Sequence, residues 1–219
     1  MDMSLGDRMK DYESLASTRL MRKLPVVIRL DGKGFSKYTK TLNRPFDGDF
    51  AAAMISTTER LCNEIQGSVI GYTQSDEISI ILQDWKQYNT DCWYGYNTQK
   101  IVSVAASICT ATFNSVFKHP SSKELAFFDA RAFNLPSVDE VINYLIFRSN
   151  DCARNSVTML SSVYYSHKEL MNKSGAQKQE MLMAKGINWN NLQPHYKRGS
   201  CVVKVDGTFT PNLDTPRLS

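Results

Sequence analysis

The stretch from Val26 to Phe35 constrains the fold of this chain most. Four of the five residues before Asp31 are apolar, which predicts a strand that is buried on both faces and ends in a carboxylate. Gly32 and Gly34 follow, and glycine lets the backbone turn sharply and pass close to a ligand. A carboxylate beside exposed backbone N–H groups and Lys33 suits a metal-bound nucleotide triphosphate. By itself, a strand followed by Asp-Gly is also an ordinary turn.

The bulk properties predict a cytoplasmic protein that does not enter the membrane. The 219 residues are 42% hydrophobic and 22% charged, as in ordinary globular proteins. No apolar run approaches the roughly 20 residues of a membrane helix, and the first residues lack the apolar core of a secretory signal. The five cysteines are odd in number and never form a C-x-x-C pair, which favours a reducing compartment. The three histidines show no ligand spacing, so any metal should be a hard cation bound by oxygen.

The net charge of +4 is spread unevenly, with basic ends around a more acidic middle. This distribution suits a protein that grips phosphate and keeps carboxylates for a metal. Ordinary surface variation explains it equally well.

Periodicity along the chain predicts an α+β fold. After a helix over residues 4–23 come the first strand, a helix begun by Asp47 or Asp49, and a hairpin around residues 74–77. A long helix over 97–117, a strand over 126–133 and a helix begun by Ser137 follow. This order is the βαββαβ arrangement of ferredoxin-like folds, an antiparallel sheet with helices on one face. We expect a catalytic domain with its N-terminal helix in residues 1–136, a mostly helical lobe in 137–205 and a loose tail in 206–219.

Two aspartates should meet at one edge of that sheet. In the ferredoxin-like order, the first strand lies beside the hairpin, so Asp31 and Asp76 can share an edge with the Gly32 carbonyl between them. Such a site can hold two Mg²⁺ ions for phosphoryl transfer. Glu77 would point to the opposite face on a continuing strand, so we expect a supporting role. The alternative is that Asp76 and Glu77 form a solvated hairpin tip.

Several other polar residues are weaker candidates. Lys33, Ser36 and Arg44 could contact phosphates, and Lys100 lies on a helix that we expect near the carboxylate edge. Asp129 and Arg131 could simply form an ion pair. A polar cluster in the lobe could contact a nucleic-acid backbone or form an exposed helix face. That cluster comprises Arg148, Asp151, Arg154 and Asn155, with Lys197 and Arg198 beyond it.

The order and spacing of these motifs resemble the tRNA-His guanylyltransferase superfamily, over about residues 5–203. The motifs are Arg29-Leu30-Asp31-Gly32, Gln74-Ser75-Asp76-Glu77-x-Ser79, Phe128-Asp129-x-Arg131, Arg148 with Asp151-Cys152 and Asn155, Asn188-x-Asn190-Asn191, and Tyr196-Lys197-Arg198-Gly199.

The resemblance implies a polymerase palm-type domain that extends tRNA at its 5′ end, in the reverse direction. The 5′-monophosphate is activated with ATP or GTP, the 3′-hydroxyl of an incoming nucleotide attacks, and pyrophosphate leaves when the end was triphosphorylated. By motif, Asp31, the Gly32 carbonyl and Asp76 bind the two metals. The run from Asp31 to Ser36, which includes Lys33, Gly34 and Phe35, would cradle the nucleotide with Ser75 and Asp76. The resemblance also implies a homo-oligomer, commonly a tetramer.

One segment departs from the eukaryotic members of the superfamily. These carry His-Ile-Asn-Asn-Leu-Tyr-Asn after the Asp-Cys pair, whereas residues 153–159 here read Ala-Arg-Asn-Ser-Val-Thr-Met. This change resembles the bacterial and archaeal members, which prefer template-dependent repair of 5′-truncated tRNA. The nearest alternative is addition of a single guanosine to tRNA-His. More distant alternatives are a nucleotidyl cyclase, which shares the two-carboxylate logic, and a non-catalytic RNA-binding module.

Overall fold

The strand that ends in Asp31 lies inside a six-stranded antiparallel sheet. A computed structural model describes residues 3–15, 17–87, 89–121 and 124–214. The strands are β1 (Val26–Gly32), β2 (Ser68–Gln74), β3 (Glu77–Leu82), β4 (Phe128–Asn134), β5 (Ser200–Val205) and β6 (Thr208–Asn212). The helices are α1 (Leu5–Ser14), α2 (Phe35–Tyr38), α3 (Gly48–Glu64), α4 (Thr98–Val116), α5 (Val138–Tyr164), α6 (His167–Leu170), α7 (Gly175–Ala184) and α8 (Pro194–Arg198). Short 3-10 turns occupy Thr39–Thr41, Trp93–Tyr96 and Trp189–Asn191.

The strand order is β4-β1-β3-β2-β5-β6. Its first four strands have the order of a ferredoxin-like βαββαβ unit, which confirms the predicted fold class. β1 lies between β4 and β3 and pairs antiparallel with both. Val26, Val27, Ile28 and Leu30, whose side chains point to both faces of the sheet, are all fully buried, as the run of apolar residues predicts.

Helices α3 and α4 cover one face of the sheet, and the main core forms there. Ile28, Leu30 and Ile80 of the strands pack in one cluster with Leu61 of α3 and Phe113 of α4. α3 begins where Asp47 accepts a hydrogen bond from the Phe50 N–H, a 2.9 Å N-cap contact. These contacts fix the layer behind the carboxylate edge.

The start of α5 covers the other face. Val141 packs there against Val27 and Ile81, whose side chains alternate with those of the main core. Because Arg29 and Asp31 share the parity of Val27 on β1, they also lie on the α5 side of the sheet. The helical lobe therefore packs on the face that carries the polar residues.

The N-terminal helix is shorter than predicted. α1 ends at Ser14, not near residue 23, and none of its residues is buried. Leu5, Met9 and Tyr12 occupy one face at helical spacing but remain exposed. An amphipathic pattern predicts a helix, but it does not specify what covers the apolar face.

The prediction of a loose tail after residue 205 is wrong for the described residues up to 214. β5 and β6 form a hairpin that extends the sheet beyond β2, and Phe209 is buried in the main core. Asp206 and Gly207 both have positive φ, 48° and 86°, which a tight hairpin turn requires. The Asp-Gly pair was therefore a hairpin signal in the sequence. Residues 215–219 lie outside the described residues.

No helix in the described part of the chain is long and apolar enough to cross a membrane.

Candidate active site

Asp31 lies at the end of β1, between carboxylates on both neighbouring strands. The register pairs Asp31 with Glu77 on β3 and with Asp129 on β4. Residues directly opposite each other across two antiparallel strands have side chains on the same face, about 5 Å apart at Cβ. Three acidic residues thus form a row across the edge of the sheet.

The β2–β3 hairpin brings Asp76 to the same edge. Its two-residue turn consists of Ser75 and Asp76, and Ser75 has a φ of 49°, a conformation that is uncommon outside glycine. Burial raises the pKa of Asp76, and the negative charge of Asp31 raises it further, while the Ser75 hydroxyl and Arg29 act in the opposite direction. Asp76 directly precedes Glu77, which lies opposite Asp31 in the β1–β3 register, so the two predicted metal ligands lie at the same edge of the sheet.

Glu77 is the first residue of β3 and lies directly opposite Asp31, so the two side chains point to the same face of the sheet. Asp76 belongs to the turn, so the strand alternation does not apply to it. Glu77 Oε2 lies 2.6 Å from Arg29 Nη2 and 3.2 Å from Arg148 Nη1. Burial raises the pKa of Glu77, and the two arginines oppose this shift. Arg29 also lies 3.9 Å from Asp31 Oδ1. Glu77 is thus joined to Asp31 through Arg29.

Arg29 is a site residue that is not among the candidates predicted from the sequence. It is the one charged residue within the apolar run of β1, and this was the available signal. A charged side chain inside a buried strand needs a partner of opposite charge. Which carboxylates provide that partner depends on the register of β1 and β3.

The glycine turn after Asp31 is shaped by close packing and by backbone conformation. A Cβ on Gly32 would lie 2.3 Å from the Phe35 ring, whereas Gly34 has open space but a φ of 69°. The Phe35 ring is buried against Phe128 and Tyr38. It therefore belongs to the core, and its ring is not available to a nucleotide.

The Lys33 side chain is exposed, but its backbone N–H donates to the Phe127 carbonyl at 2.8 Å. The Lys33 amide is therefore not one of the free N–H groups that the sequence analysis expected in this turn.

A cavity of about 360 Å³ lies beside the carboxylate edge. Its wall is formed by α2 with the 3-10 turn after it, the segment before α3, α3 itself, the β2–β3 hairpin, α5 and α8. Four predicted site residues line it: Ser36, Arg44, Ser75 and Asn155. Apolar lining residues include Leu42, Phe50 and Met54. On its rim, the rings of Phe46 and Tyr196 stack with centroids 4.6 Å apart.

The structure does not place Lys100 at this site. It lies in the first turn of α4, next to Asn97, which bonds Ser17. The part of α4 near the carboxylate edge is instead around Thr110, whose hydroxyl accepts from the Phe128 N–H opposite Gly32. Ten residues of helix span about 15 Å, so within this chain Lys100 lies toward the opposite edge of the sheet. The periodicity predicted the helix but not which end approaches Asp31.

The polar cluster of the lobe divides into buried and exposed members. Arg148 is buried and also donates to Asp151 at 2.8 Å, while Arg154 donates to the second oxygen of Asp151 at 2.8 Å and is exposed. Arg131 is exposed and lies 3.9 Å from Asp129. Arg131 and Arg154 are therefore accessible to a nucleic-acid backbone, and Arg148 is not.

The two basic residues before β5 face partly inward. Lys197 is buried, and its Nζ donates to the Asn190 carbonyl. The Arg198 carbonyl accepts from the Tyr72 hydroxyl at 2.8 Å. The Lys197 contact ties α8 to the 3-10 turn Trp189–Asn191, and the Arg198 contact ties it to β2. Lys197 therefore has a structural role.

Oxygen donors for a cation are present, but the protein supplies few of them. Among residues 3–15, 17–87, 89–121 and 124–214, no group of three or more His, Cys, Asp or Glu side chains is arranged to hold a metal ion. Mg²⁺ is usually bound by only one or two carboxylates, with waters and substrate phosphates completing its shell. Asp31, Asp76 and the Gly32 carbonyl match that chemistry.

Comparison with known proteins identifies the family. Residues 6–136 match the family described as tRNAHis guanylyltransferase. A solved structure of a bacterial tRNA(His) guanylyltransferase-like protein in complex with ATP superposes with a TM-score of 0.94 and 42% identity, covering 98% of this chain and 94% of that one. A second such bacterial structure, in complex with GTP, has a TM-score of 0.84 and 37% identity, covering 98% and 93%.

A curated relative, the tRNA(His) guanylyltransferase of Schizosaccharomyces pombe, is 30% identical over 93% of this chain and 82% of its own length. Members of this family are nucleotidyltransferases. The family match covers residues 6–136, and the similarity to these proteins extends over nearly the full chain. This chain therefore belongs to the tRNA-His guanylyltransferase family.

Proposed function

We propose that this protein is a Mg²⁺-dependent nucleotidyltransferase that adds nucleotides to the 5′ end of truncated tRNA, with the opposing strand as template. The observation that carries the proposal is the placement of Asp31 opposite Glu77, next to Asp76 in the hairpin turn, beside a cavity of about 360 Å³. Paired carboxylates at such an edge are the arrangement that metal-assisted phosphoryl transfer needs. The family membership supports the same chemistry.

The residues at the edge fit Mg²⁺. Two neighbouring carboxylates repel each other, and a bound cation would relieve that repulsion. All three donors are hard oxygens. When bound, the metal would supply charge stabilisation for the transferred phosphoryl group. Asp31, Asp76 and the Gly32 carbonyl would hold it, and Arg29 limits the excess negative charge at this edge.

The cavity has the composition expected of a nucleotide site. A largely apolar wall suits a base, and Ser36, Ser75 and Arg44 offer donors for phosphate oxygens. Its position next to Asp76 would place a triphosphate within reach of the metal ligands. The similar bacterial proteins have been solved in complex with ATP and with GTP, which supports ATP or GTP as the activating nucleotide here.

The segment after Cys152 favours templated addition over addition of one fixed guanosine. Of this segment, Asn155, Ser156 and Met159 line the cavity, so its sequence can influence what the site accepts. Ala153 to Met159 lack most of the polar residues that the guanosine-adding eukaryotic members carry. The second candidate is addition of guanosine to tRNA-His, because the fission yeast relative has that name.

A template series tests the proposal. Purified protein is incubated with Mg²⁺, all four nucleoside triphosphates and tRNA that lacks its first 5′ nucleotide, in four versions that differ only in the opposing base. We expect the added nucleotide to follow the opposing base in all four versions. Addition of guanosine in every version would support the second candidate, and cyclic nucleotide without RNA extension would overturn both.

We also propose a cytoplasmic homo-oligomer, possessing a catalytic domain and a helical lobe, with tRNA as its partner. The five free cysteines suit a reducing compartment. The exposed apolar residues of α1 offer a surface for a second copy, and the resemblance implies a tetramer. The mass of the protein in solution, measured by light scattering, tests the oligomeric state.

A further inference from the structure

Arg148 joins the helical lobe to the carboxylate edge of the sheet. The residue lies on α5, yet its guanidinium reaches across to Glu77 on β3 at 3.2 Å. The other arm of the same guanidinium donates to Asp151 at 2.8 Å, and the Phe147 ring lies 4.4 Å from its central carbon. Arg148 is only 5% exposed. The side chain is thus held in one orientation by two carboxylates and a ring.

Glu77 receives both of its arginines on a single oxygen. Arg29 contacts Oε2 from β1, and Arg148 contacts the same atom from α5. Burying such charges is costly, and an apolar replacement of similar size is often as stable. Stability alone therefore does not account for this cluster, which suggests a role in the nearby chemistry.

The cluster also contains unpartnered polar atoms. Among the side chains that the structure describes, the buried nitrogen or oxygen atoms without a hydrogen-bond partner are Arg29 Nε, Glu77 Oε1 and Arg148 Nε. All three belong to the Arg29–Glu77–Arg148 cluster. Buried unsatisfied groups are rare in proteins and commonly mark a strained or functional site.

The position of Glu77 explains why its orientation matters. Glu77 follows Asp76 in the chain and faces Asp31 across the strand pair. An unrestrained third carboxylate here would repel the other two and compete with them for a cation. We propose that Arg148 is a positioning residue for phosphoryl transfer, which holds Glu77 against Arg29 so that Asp31 and Asp76 keep a productive arrangement.

This inference rests on the proposed function, and steady-state kinetics of templated 5′ extension test it. The variants are Arg148→Gln, Arg148→Lys, Glu77→Gln and the double variant Glu77→Gln/Arg148→Gln. We expect Arg148→Gln to lower kcat by about 100-fold, the loss typical of a small displacement in an active site. The KM for ATP should change less than about 3-fold, because Arg148 does not line the cavity. Arg148→Lys, which keeps the charge, should recover part of the loss.

The double variant separates positioning from folding. Glu77→Gln/Arg148→Gln removes both charges of the buried Arg148–Glu77 pair, and Arg29 keeps Asp31 at 3.9 Å. The double variant should therefore fold even where Glu77→Gln, which leaves Arg148 without this partner, does not. If Arg148 acts through Glu77, the double variant is no slower than the slower single variant, because the two effects are not additive. Losses that multiply, or that only follow the folded fraction measured by circular dichroism, would overturn the inference.

A control variant removes an exposed arginine–glutamate ion pair elsewhere. Arg60 on α3 lies 2.6 Å from Glu64 and does not line the cavity. Arg60→Gln should keep kcat within about 2-fold, as is usual for a surface pair. An inactive wild type would overturn the proposed function and this inference together. An active wild type with an unaffected Arg148→Gln would overturn this inference alone.

Discussion

Asp31 and Glu77 face each other across the β1–β3 strand pair, and the Arg29 guanidinium contacts both carboxylates. Asp76 lies in the adjoining turn, where burial raises its pKa and the charge of Asp31 raises it further. A cation would stabilise the carboxylates of Asp31 and Asp76. The third carboxylate at this edge, that of Glu77, is paired with Arg29 and Arg148. This division separates the proposed metal ligands from Glu77.

Replacing either proposed metal ligand should abolish activity without unfolding the protein. Asp31→Asn and Asp76→Asn keep the size of the side chain but remove the charge that would hold Mg²⁺. We expect each to lower the rate of 5′ extension by at least about 1,000-fold. A gel-based extension assay measures the rate, and circular dichroism checks the fold. A group that acts in the reaction contributes more than about 10-fold to the rate. A variant whose rate stays within about 10-fold of wild type would therefore contradict the metal-binding role.

Asp76 should make stability depend on pH in the absence of divalent cations. The pKa of Asp76 in the folded protein is raised above its ordinary value of 3.8. At a pH between 3.8 and the folded pKa, the native state therefore binds more protons than the unfolded state. The free energy of unfolding should therefore fall as pH rises through this window, and the loss should persist at neutral pH. Thermal unfolding of wild type and Asp76→Asn across this range measures the difference. The Asn variant should lack this component, and Mg²⁺ should raise the Tm of wild type only.

Ser75 should carry a local backbone cost. Its φ of 49° lies in the left-handed region, where glycine is favoured over other residues by about 1 kcal/mol. Ser75→Gly should therefore be more stable than Ser75→Ala by about 1 kcal/mol, measured by urea unfolding. Both variants lose the hydroxyl that helps lower the pKa of Asp76, so both should lose activity. Equal stability of the two variants would mean that the turn is not strained.

The two glycines of the turn should respond differently to alanine. At Gly34 the Cβ has open space, and only the φ of 69° opposes it, so Gly34→Ala should cost about 1 kcal/mol. At Gly32 the Cβ would meet the Phe35 ring at 2.3 Å, so Gly32→Ala should lower the free energy of unfolding by an overpacking cost of about 1–3 kcal/mol. Denaturant unfolding compares the two. A Gly32→Ala variant as stable as Gly34→Ala would show that the Phe35 ring moves freely.

The hairpin of β5 and β6 should contribute to the stability of the whole sheet. Phe209 is 5% exposed and packs in the main core, so Phe209→Ala should lower the free energy of unfolding by about 3 kcal/mol. The neighbouring Thr208 is exposed, and Thr208→Ala serves as the control. A loose tail would give the same small change at both positions.

The sequence predicted the parts of the fold that short-range patterns encode. The apolar run before Asp31 predicted β1, a cap at Asp47 or Asp49 predicted the start of α3, and the order of elements predicted the first four strands of the sheet. Asp206-Gly207 is a pattern of the same kind, where two residues that tolerate positive φ join two short strands.

Other errors came from relations between distant segments. The spacing of Leu5, Met9 and Tyr12 predicts a helix face but not a partner for it, and these side chains are exposed in the single chain. Lys100 lies on the predicted helix, yet it lies toward the far edge because α4 brings its Thr110 end to Gly32. The direction in which a helix packs is not encoded in its periodicity.

The sequence by itself determined that Asp31 ends a buried strand, that a glycine turn follows it, and that Asp76 lies at the tip of a hairpin. Local backbone preference and hydrophobic alternation suffice for these features. Only the tertiary structure decided that Glu77 faces Asp31, that Arg29 lies between them, and that Arg148 is buried against Glu77. These contacts depend on strand register and on the docking of α5, which are set by packing across the whole sheet.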